Sequence, residues 1–176
     1  MIEKATIKDV SELYVLINSA YRGETSKKGW TTEANILGGI RIDENELIAI
    51  IKQPNASIFK FTENHKILSC VLLDIQKSKL YLGMLCVNPE LQNSGIGKKM
   101  LDFAVDYALE NDLPKIVMSV ISERLELISW YNRNGFFDNG TRELFPESHT
   151  ADIISGEKLE FIILEKSIVK NRKPSI

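Results

Sequence analysis

The stretch Gln92-Asn93-Ser94-Gly95-Ile96-Gly97-Lys98 restricts the fold of this chain more than any other. An apolar run from Leu80 to Val87 enters it through Asn88-Pro89-Glu90-Leu91, and an amphipathic segment from Lys98 to about Glu110 leaves it. That segment pairs Met100-Leu101, Ala104-Val105 and Ala108-Leu109 every four residues, a wide apolar face that needs a sheet to cover. Two glycines two residues apart let the backbone approach a ligand with no Cβ in the way. The helix start beyond them offers unpaired N–H groups and a positive dipole end. The local chemistry is that of an anion grip.

Two familiar phosphate loops do not fit. A P-loop requires glycine, four residues, then Gly-Lys-Ser/Thr, but Gln92 occupies the first glycine position and Lys99 follows Lys98. The dinucleotide fingerprint requires a third glycine where Met100 stands, and no clear acidic ribose partner follows on a second strand.

The rest of the chain reads as alternating elements. Ile2 to Ile7 has the period of a short strand. Thr6-Ile7-Lys8-Asp9 then has capping-box spacing before the stripe Val10, Leu13, Tyr14, Ile17, Ala20, one face of a helix reaching about Tyr21. Arg22 to Glu33 is polar and glycine-bearing and reads as a loop. A second helix is expected from Thr31 or Thr32 to the Gly38-Gly39 pair, and a third from Asp43-x-x-Glu46 to Ile51. Ala56 to Phe61, Ile67 to Ile75 and Leu80 to Val87 form an antiparallel meander across polar turns. After the glycine loop and its helix, Lys115 to Val120 reads as a buried strand parallel to the preceding one, since such crossovers are right-handed. A helix capped by Ser122 runs to Asn134 and stops at Gly135. Phe136-Phe137, a polar turn, Phe145-Pro146, a loop around His149 and a strand from Lys158 to Lys166 complete the domain.

Bulk properties exclude several classes. At 176 residues one domain over 1–166 with a frayed basic tail over 167–176 is expected, burying roughly 70% of its surface. A hydrophobic content of 44%, a charged content of 26% and a net charge of −2 give no support to a nucleic-acid partner. Met1-Ile2-Glu3-Lys4 lacks a signal-peptide layout and no apolar run approaches the roughly 18 residues of a membrane helix, so a cytoplasmic protein without a membrane partner is expected. Cys70 and Cys86 lie in apolar strands and read as buried reduced thiols. With two histidines the chain has little from which to build a metal site, and no metal is expected.

Two motifs together carry a resemblance. Val87-Asn88-Pro89 followed by Gln92-x-x-Gly95-x-Gly97, and about 35 residues later Trp130-Tyr131-Asn132-Arg133-Asn134-Gly135-Phe136, resemble the pyrophosphate loop and the aromatic-Tyr-x-Lys/Arg-x-Gly-Phe signature of the GNAT (GCN5-related) N-acetyltransferase family. The order of elements along nearly the whole chain is similar as well. The resemblance implies an α/β (α+β) fold: a central mixed sheet of about seven strands, helices on both faces, and a splayed parallel strand pair at the cofactor site. It implies acetyl-CoA as co-substrate and transfer of its acetyl group to a primary amine, with a small-molecule acceptor first and a peptide or protein amine second. A non-catalytic acyl-CoA sensor is the alternative of a different class.

The same resemblance assigns roles. The backbone N–H of Leu85 would meet the acyl carbonyl at a bulge in the strand, and the Leu85, Cys86 and Val87 stretch would bind the pantetheine arm. Gln92, Asn93, Ser94, Gly95, Ile96, Gly97 and Lys98 would cradle the pyrophosphate, with Lys98 or Lys99 supplying charge. Tyr131 would be the general acid, because a phenol with a reference pKa near 10 stays protonated at pH 7 and can meet a departing thiolate. Two positions depart from the pattern. Tyr81 stands near the place of a strand glutamate that serves several relatives as base, which leaves Glu33 or Glu24 for that work. Arg124 stands where an asparagine often contacts the cofactor. Arg22, Glu24, Trp30 and Glu33 are the expected acceptor-binding residues, with Arg22 suited to a substrate carboxylate. A homodimer through strands near Phe161 is a further expectation.

Overall fold

The computed structural model describes residues 1–146, 152–154, 156 and 158–169. The chain starts with strand β1 (Ile2–Lys4) and a single 3-10 turn, Ile7–Asp9, which carries the expected reciprocal cap between Thr6 and Asp9. Helix α1 (Val10–Tyr21) buries Val10, Leu13, Leu16, Ile17 and Ala20 on one side. A four-residue helix α2 (Gly23–Ser26) follows, and α3 (Glu44–Ile51) begins at the Asp43/Glu46 capping box, whose two reciprocal bonds are each 2.8 Å. The helix expected from Thr31 or Thr32 does not form. Thr32 Oγ1 instead accepts from the Ala34 N–H at 3.0 Å inside a run of turns, and Leu37 makes an isolated bridge to Ile153.

Strands β2 (Ala56–Glu63), β3 (Lys66–Gln76) and β4 (Lys79–Val87) form the expected meander. Asn64 and His65 both have positive φ at the first hairpin, the signature of a two-residue type I′ turn. Helix α4 (Ile96–Glu110) crosses over to β5 (Lys115–Ile121), which lies parallel to β4. Helix α5 (Leu125–Arg133) then leads to the antiparallel pair β6 (Phe137–Leu144) and β7 (Glu160–Ser167). The seven strands form one mixed sheet in the order β1-β2-β3-β4-β5-β7-β6.

Three further features differ from the sequence reading. Helix α5 starts at Leu125, not Ser122, because the Ser122 N–H is bonded to Glu160 O at 3.0 Å and Arg124 is non-helical at ψ 62. The polar turn after Phe137 is instead β6, an edge strand exposed at every position; with neither face covered it has no apolar alternation to reveal it. The strand carrying Phe161 is paired on both sides, so at that end of the sheet the open edge is β6 and not β7. His149 and residues 170–176 of the tail lie outside the described residues.

Apolar layers cover both sheet faces. Val71, Leu73, Leu80 and Leu82 pack with Met100, Ala104 and Phe136 on the α4 and α5 side, whereas Cys70, Met84 and Cys86 pack with Leu13, Ile17 and Leu47 on the α1 and α3 side. In β4 the even-numbered residues thus change sides between Leu82 and Met84. The cause is a bulge: Cys70 pairs with Cys86 and Leu72 with Gly83, so Met84 and Leu85 together oppose Val71, and Met84 has φ +46. The bulge re-aims the strand next to the place where the sheet opens.

Candidate active site

β4 and β5 pair only at Leu80↔Ile116 and Tyr81↔Val117, after which they part. The second half of β4, from the bulge to Val87, therefore shows an unpaired edge to a cleft whose other wall is β5. The cleft opens into a cavity of about 540 Å³. Its walls come from β4, β5, the glycine loop, α5 and the segment between α1 and α3, and Tyr131 stands among them.

At one end the chain turns into α4 through Asn93 (φ +68) and Gly95 (φ +85), both left-handed. A Cβ on Gly95 would meet nothing within 4 Å, so that side of the loop is open, while the positive φ itself favours glycine. No side chain caps α4 and its first turn contains no acid; the first helix bond runs from Lys99 N to Gly95 O at 3.1 Å. The amides ahead of it have no intrahelical acceptor and sit at the positive end of a 15-residue helix. Gly97 serves a different purpose. Its missing Cβ seats the Trp130 ring, 3.4 Å from where that carbon would be.

Tyr131 is 6% exposed and lines the cavity, with its ring edge-on to Trp130 (5.1 Å) and Phe136 (5.9 Å). Among the described residues its hydroxyl has no hydrogen-bond partner. Burial pushes its pKa up to about 12, opposed in part by the nearby Arg124 cation. Across the bulge, the Tyr21 hydroxyl donates to Leu85 O at 3.0 Å, and burial raises the pKa of that phenol well above its ordinary value. The Tyr21 ring is flanked by two guanidinium groups, Arg41 at 5.5 Å and Arg124 at 5.9 Å.

Residues 10–136 match the sequence model of the Acetyltransferase (GNAT) family. The chain belongs to that family. Solved structures agree on the fold. The ribosomal-protein-S18-alanine N-acetyltransferase of Escherichia coli superposes with a TM-score of 0.72 at 16% identity, covering 100% of this chain and 98% of that one. An N-acetyltransferase from Staphylococcus aureus Mu50 gives 0.74 at 16%, covering 97% and 98%. The PaiA N-acetyltransferase of Thermoplasma acidophilum, solved in complex with coenzyme A, gives 0.69 at 18%, covering 95% and 98%. Identities this low carry the fold alone. No curated protein sequence matches significantly.

The donor set of this GNAT chain fits an acyl-CoA. The unpaired β4 edge offers peptide groups to an amide-bearing arm, and the first turn of α4 offers N–H groups to a pyrophosphate. Leu85, Cys86, Val87, Gln92, Asn93, Gly95, Gly97 and Lys98 all line the cavity. Ser94 and Ile96 do not: Ser94 Oγ turns back to Leu91 O, and the Ile96 side chain is buried. Of the lysines, Lys98 is paired with Asp102 on the helix surface and Lys99 lies over the Phe61 ring.

The acceptor-side expectations divide sharply in this GNAT site. Glu24 does not line the cavity; its side chain is 88% exposed and holds Lys27 at 2.6 Å. Glu33 does line it, but both carboxylate oxygens are engaged, Oε2 by Arg22 Nε at 3.2 Å and Oε1 by Arg124 Nη1 at 2.8 Å. Arg22 and Arg124 also donate to Gly38 O and Thr31 O respectively, so neither guanidinium is left over for a ligand's carboxylate by default. Arg124 is thus a structural tie between α5 and the 22–38 segment. Gln92 acts similarly: its Oε1 accepts from the Trp30 N–H at 2.8 Å and its Nε2 donates to Thr31 Oγ1 at 2.9 Å. Trp30 then meets Trp130 edge-on at 6.2 Å.

Sequence reasoning passed over Tyr21 and Arg41, which both line the cavity. In the sequence Tyr21 reads only as the approximate end of the first helix and the start of the acceptor segment. Arg41 follows Gly38-Gly39-Ile40, and a cation directly after a glycine-rich turn was the available signal. Among the described residues no group of three or more His, Cys, Asp and Glu could hold a metal, and no helix is long and apolar enough to cross a membrane.

Proposed function

We propose that this GNAT chain transfers the acetyl group of acetyl-CoA to a primary amine of a small metabolite by direct attack in a ternary complex. The observation that carries the reading is Tyr131, a buried phenol facing a cavity that joins the splayed strands to the segment over Arg22 to Arg41. Donor and acceptor can then meet at one place. Acetyl-CoA supplies an activated acyl carbon; the remaining work falls to the chain.

The Leu85 backbone at the bulge supplies the N–H toward which the acyl oxygen develops negative charge, and a fixed donor there needs no reorganisation. As the amine nitrogen bonds to the acyl carbon, the carbon–sulfur bond breaks and the sulfur takes up the electron pair. Tyr131 meets that thiolate. With the phenol near 12 and a thiol near 8.5, full transfer from the resting phenol is uphill by about 3.5 pKa units, so Tyr131 acts first as a hydrogen-bond donor to the sulfur. The neutral amine becomes positively charged as it bonds to the acyl carbon, and the proton it then loses passes to the departing thiolate, leaving the amide and the CoA thiol.

The amine must be neutral to attack. Glu33 is already shared by two arginines, which supports a positioning role over that of a base, and Glu24 faces solvent. The positive lining lowers the ammonium pKa of an incoming amine, so that the acceptor reaches the acyl carbon deprotonated. A pinned segment over the acceptor end favours a small molecule over an extended peptide.

Calorimetry with acetyl-CoA, followed by free-thiol detection over a panel of amines, tests the reading. Micromolar binding and acceptor-dependent thiol release are expected; no heat with any acyl-CoA would overturn it.

A further inference from the structure

Among the described residues, the cavity is lined by Arg22, Arg41 and Arg124 with Glu33 as the carboxylate facing them. Two of these arginines are consumed by Glu33 and by backbone carbonyls. Arg41 is not. It forms no ion pair and no side-chain hydrogen bond among the described residues, and its guanidinium rests near the Tyr21 ring at 5.5 Å.

The backbone that carries Arg41 is held firmly. Asn18 Oδ1 accepts from the Arg41 N–H at 2.6 Å and from the Ile42 N–H at 3.4 Å, while Asn18 Nδ2 donates to Ile42 O and Tyr14 O, each at 2.9 Å. One side chain on α1 thereby fixes the stem of the arginine. Through Tyr21, whose hydroxyl bonds Leu85 O, the same arginine is one ring away from the strand bulge.

From this we infer that the acceptor is an amino carboxylate, an amine whose own carboxylate is bound by Arg41, with an apolar or aromatic body. The inference rests on the N-acetyltransferase reading above. A guanidinium presents donors and no acceptor, in a fork that matches a carboxylate with two parallel N–H···O bonds. Leaving such a group unpaired in a cavity is unfavourable, and an incoming carboxylate relieves it. Charge selects in the same direction. Four cations, Lys98 at the glycine loop and the three arginines, against one carboxylate repel a polyamine, whereas an amino carboxylate brings its own counter-charge. Leu37, Ile40, Phe145 and Phe161 supply apolar lining for the rest of such a molecule, the two phenylalanine rings lying 5.4 Å apart.

The test compares wild type, Arg41→Gln and Arg41→Lys, each saturated with CoA, for calorimetric binding of N-acetylated phenylalanine, leucine and methionine and of the corresponding amides. Acetyl-CoA affinity is measured alongside, together with thiol release on the free amino acids, their amides and spermidine. The acids should bind wild type at least about tenfold more tightly than the amides. Arg41→Gln should collapse that ratio to about twofold, and Arg41→Lys should retain part of it. Equal affinity for acid and amide, absence of binding by both, an acid preference that survives Arg41→Gln, or faster thiol release with spermidine would overturn the inference. Loss of acetyl-CoA affinity in Arg41→Gln would also overturn it, by putting Arg41 on a cofactor phosphate. Acid binding dependent on Arg41 without thiol release from any amine would uphold the carboxylate site while refuting N-acetyl transfer.

Discussion

Arg124 Nη1 donates to Glu33 Oε1 at 2.8 Å, closing a span of 91 residues. With Arg22 on the other oxygen, this buried pair ties the segment after α1 to the start of α5 and so holds one wall of the cavity against another. Glu33→Ala leaves two buried guanidinium groups without a counter-charge, held only by the carbonyls of Gly38 and Thr31. Breaking such a buried network costs about 3–5 kcal/mol, which in a chain of this size corresponds to a melting temperature lower by roughly 6–20 °C. Thermal unfolding followed by circular dichroism checks this; a Tm within about 2 °C of wild type would show that the pair contributes little.

Tyr131→Phe removes the hydroxyl and leaves the ring packing against Trp130 and Phe136 in place. Turnover should fall by about 10²-fold or more, with the acetyl-CoA Kd unchanged within about threefold. Steady-state kinetics and calorimetry on the same preparation separate the two. Full turnover in this variant would remove Tyr131 from the chemistry.

Alkaline unfolding should also report on this phenol. Below about pH 10 both folded and unfolded chains keep the proton. Between about pH 10 and the folded value of about 12 the unfolded chain loses it first, so stability falls as pH rises. Tyr21, raised by burial as well, acts in the same direction. From pH 9 to pH 11, wild type should lose about 1 kcal/mol more than Tyr131→Phe in urea unfolding. Parallel curves for the two proteins would contradict the burial of this hydroxyl.

Gln92→Ala frees the Trp30 amide and the Thr31 hydroxyl from the glycine loop. Losing two hydrogen bonds in a partly buried setting weakens the tie by about 1–3 kcal/mol. The effect should appear as a raised acceptor KM and a loosened 22–38 segment in hydrogen exchange, with a smaller change in acetyl-CoA affinity. A larger loss of acetyl-CoA affinity than of acceptor KM would place Gln92 on the pyrophosphate instead.

Gly95→Ala forces a side chain into φ +85, with open space around it, so strain alone is at issue. About 1–2 kcal/mol is expected, relieved by a shift of the loop. Acetyl-CoA binding should weaken by roughly tenfold while the Tm changes by a few degrees. Unchanged binding would show that the loop's conformation does not set the affinity.

The meander, the crossover helix and the parallel strand were legible because each buries a periodic apolar face: Leu80 and Leu82 beneath α4, Met100 and Ala104 above them. Strand β6 was not legible, since both its faces meet solvent and Phe137 to Leu144 carry no alternation. The helix expected near Thr31 failed because Glu33 is drawn inward by two arginines and the Glu33 N–H bonds Tyr21 O at 2.9 Å, a contact that replaces helical bonding. In the site, Tyr131 and the glycine loop were visible as motifs. The bulge at Met84 and Leu85 was expected from the family resemblance alone, because Leu80, Leu82, Met84 and Cys86 read as one uninterrupted face.

Local spacing by itself therefore determined the geometry of the proposed donor end: a strand, two glycines and an uncapped helix start are adjacent in the chain, and their arrangement follows from short-range backbone preferences. The acceptor end was decided only by tertiary structure. Arg22 and Arg124 look interchangeable with Arg41 as isolated charges, and it is their pairing in space with Glu33, across 11 and 91 residues, that satisfies both and leaves Arg41 facing the cavity. Charge satisfaction in a low-dielectric pocket depends on which groups come within about 3 Å, and linear order does not encode that distance.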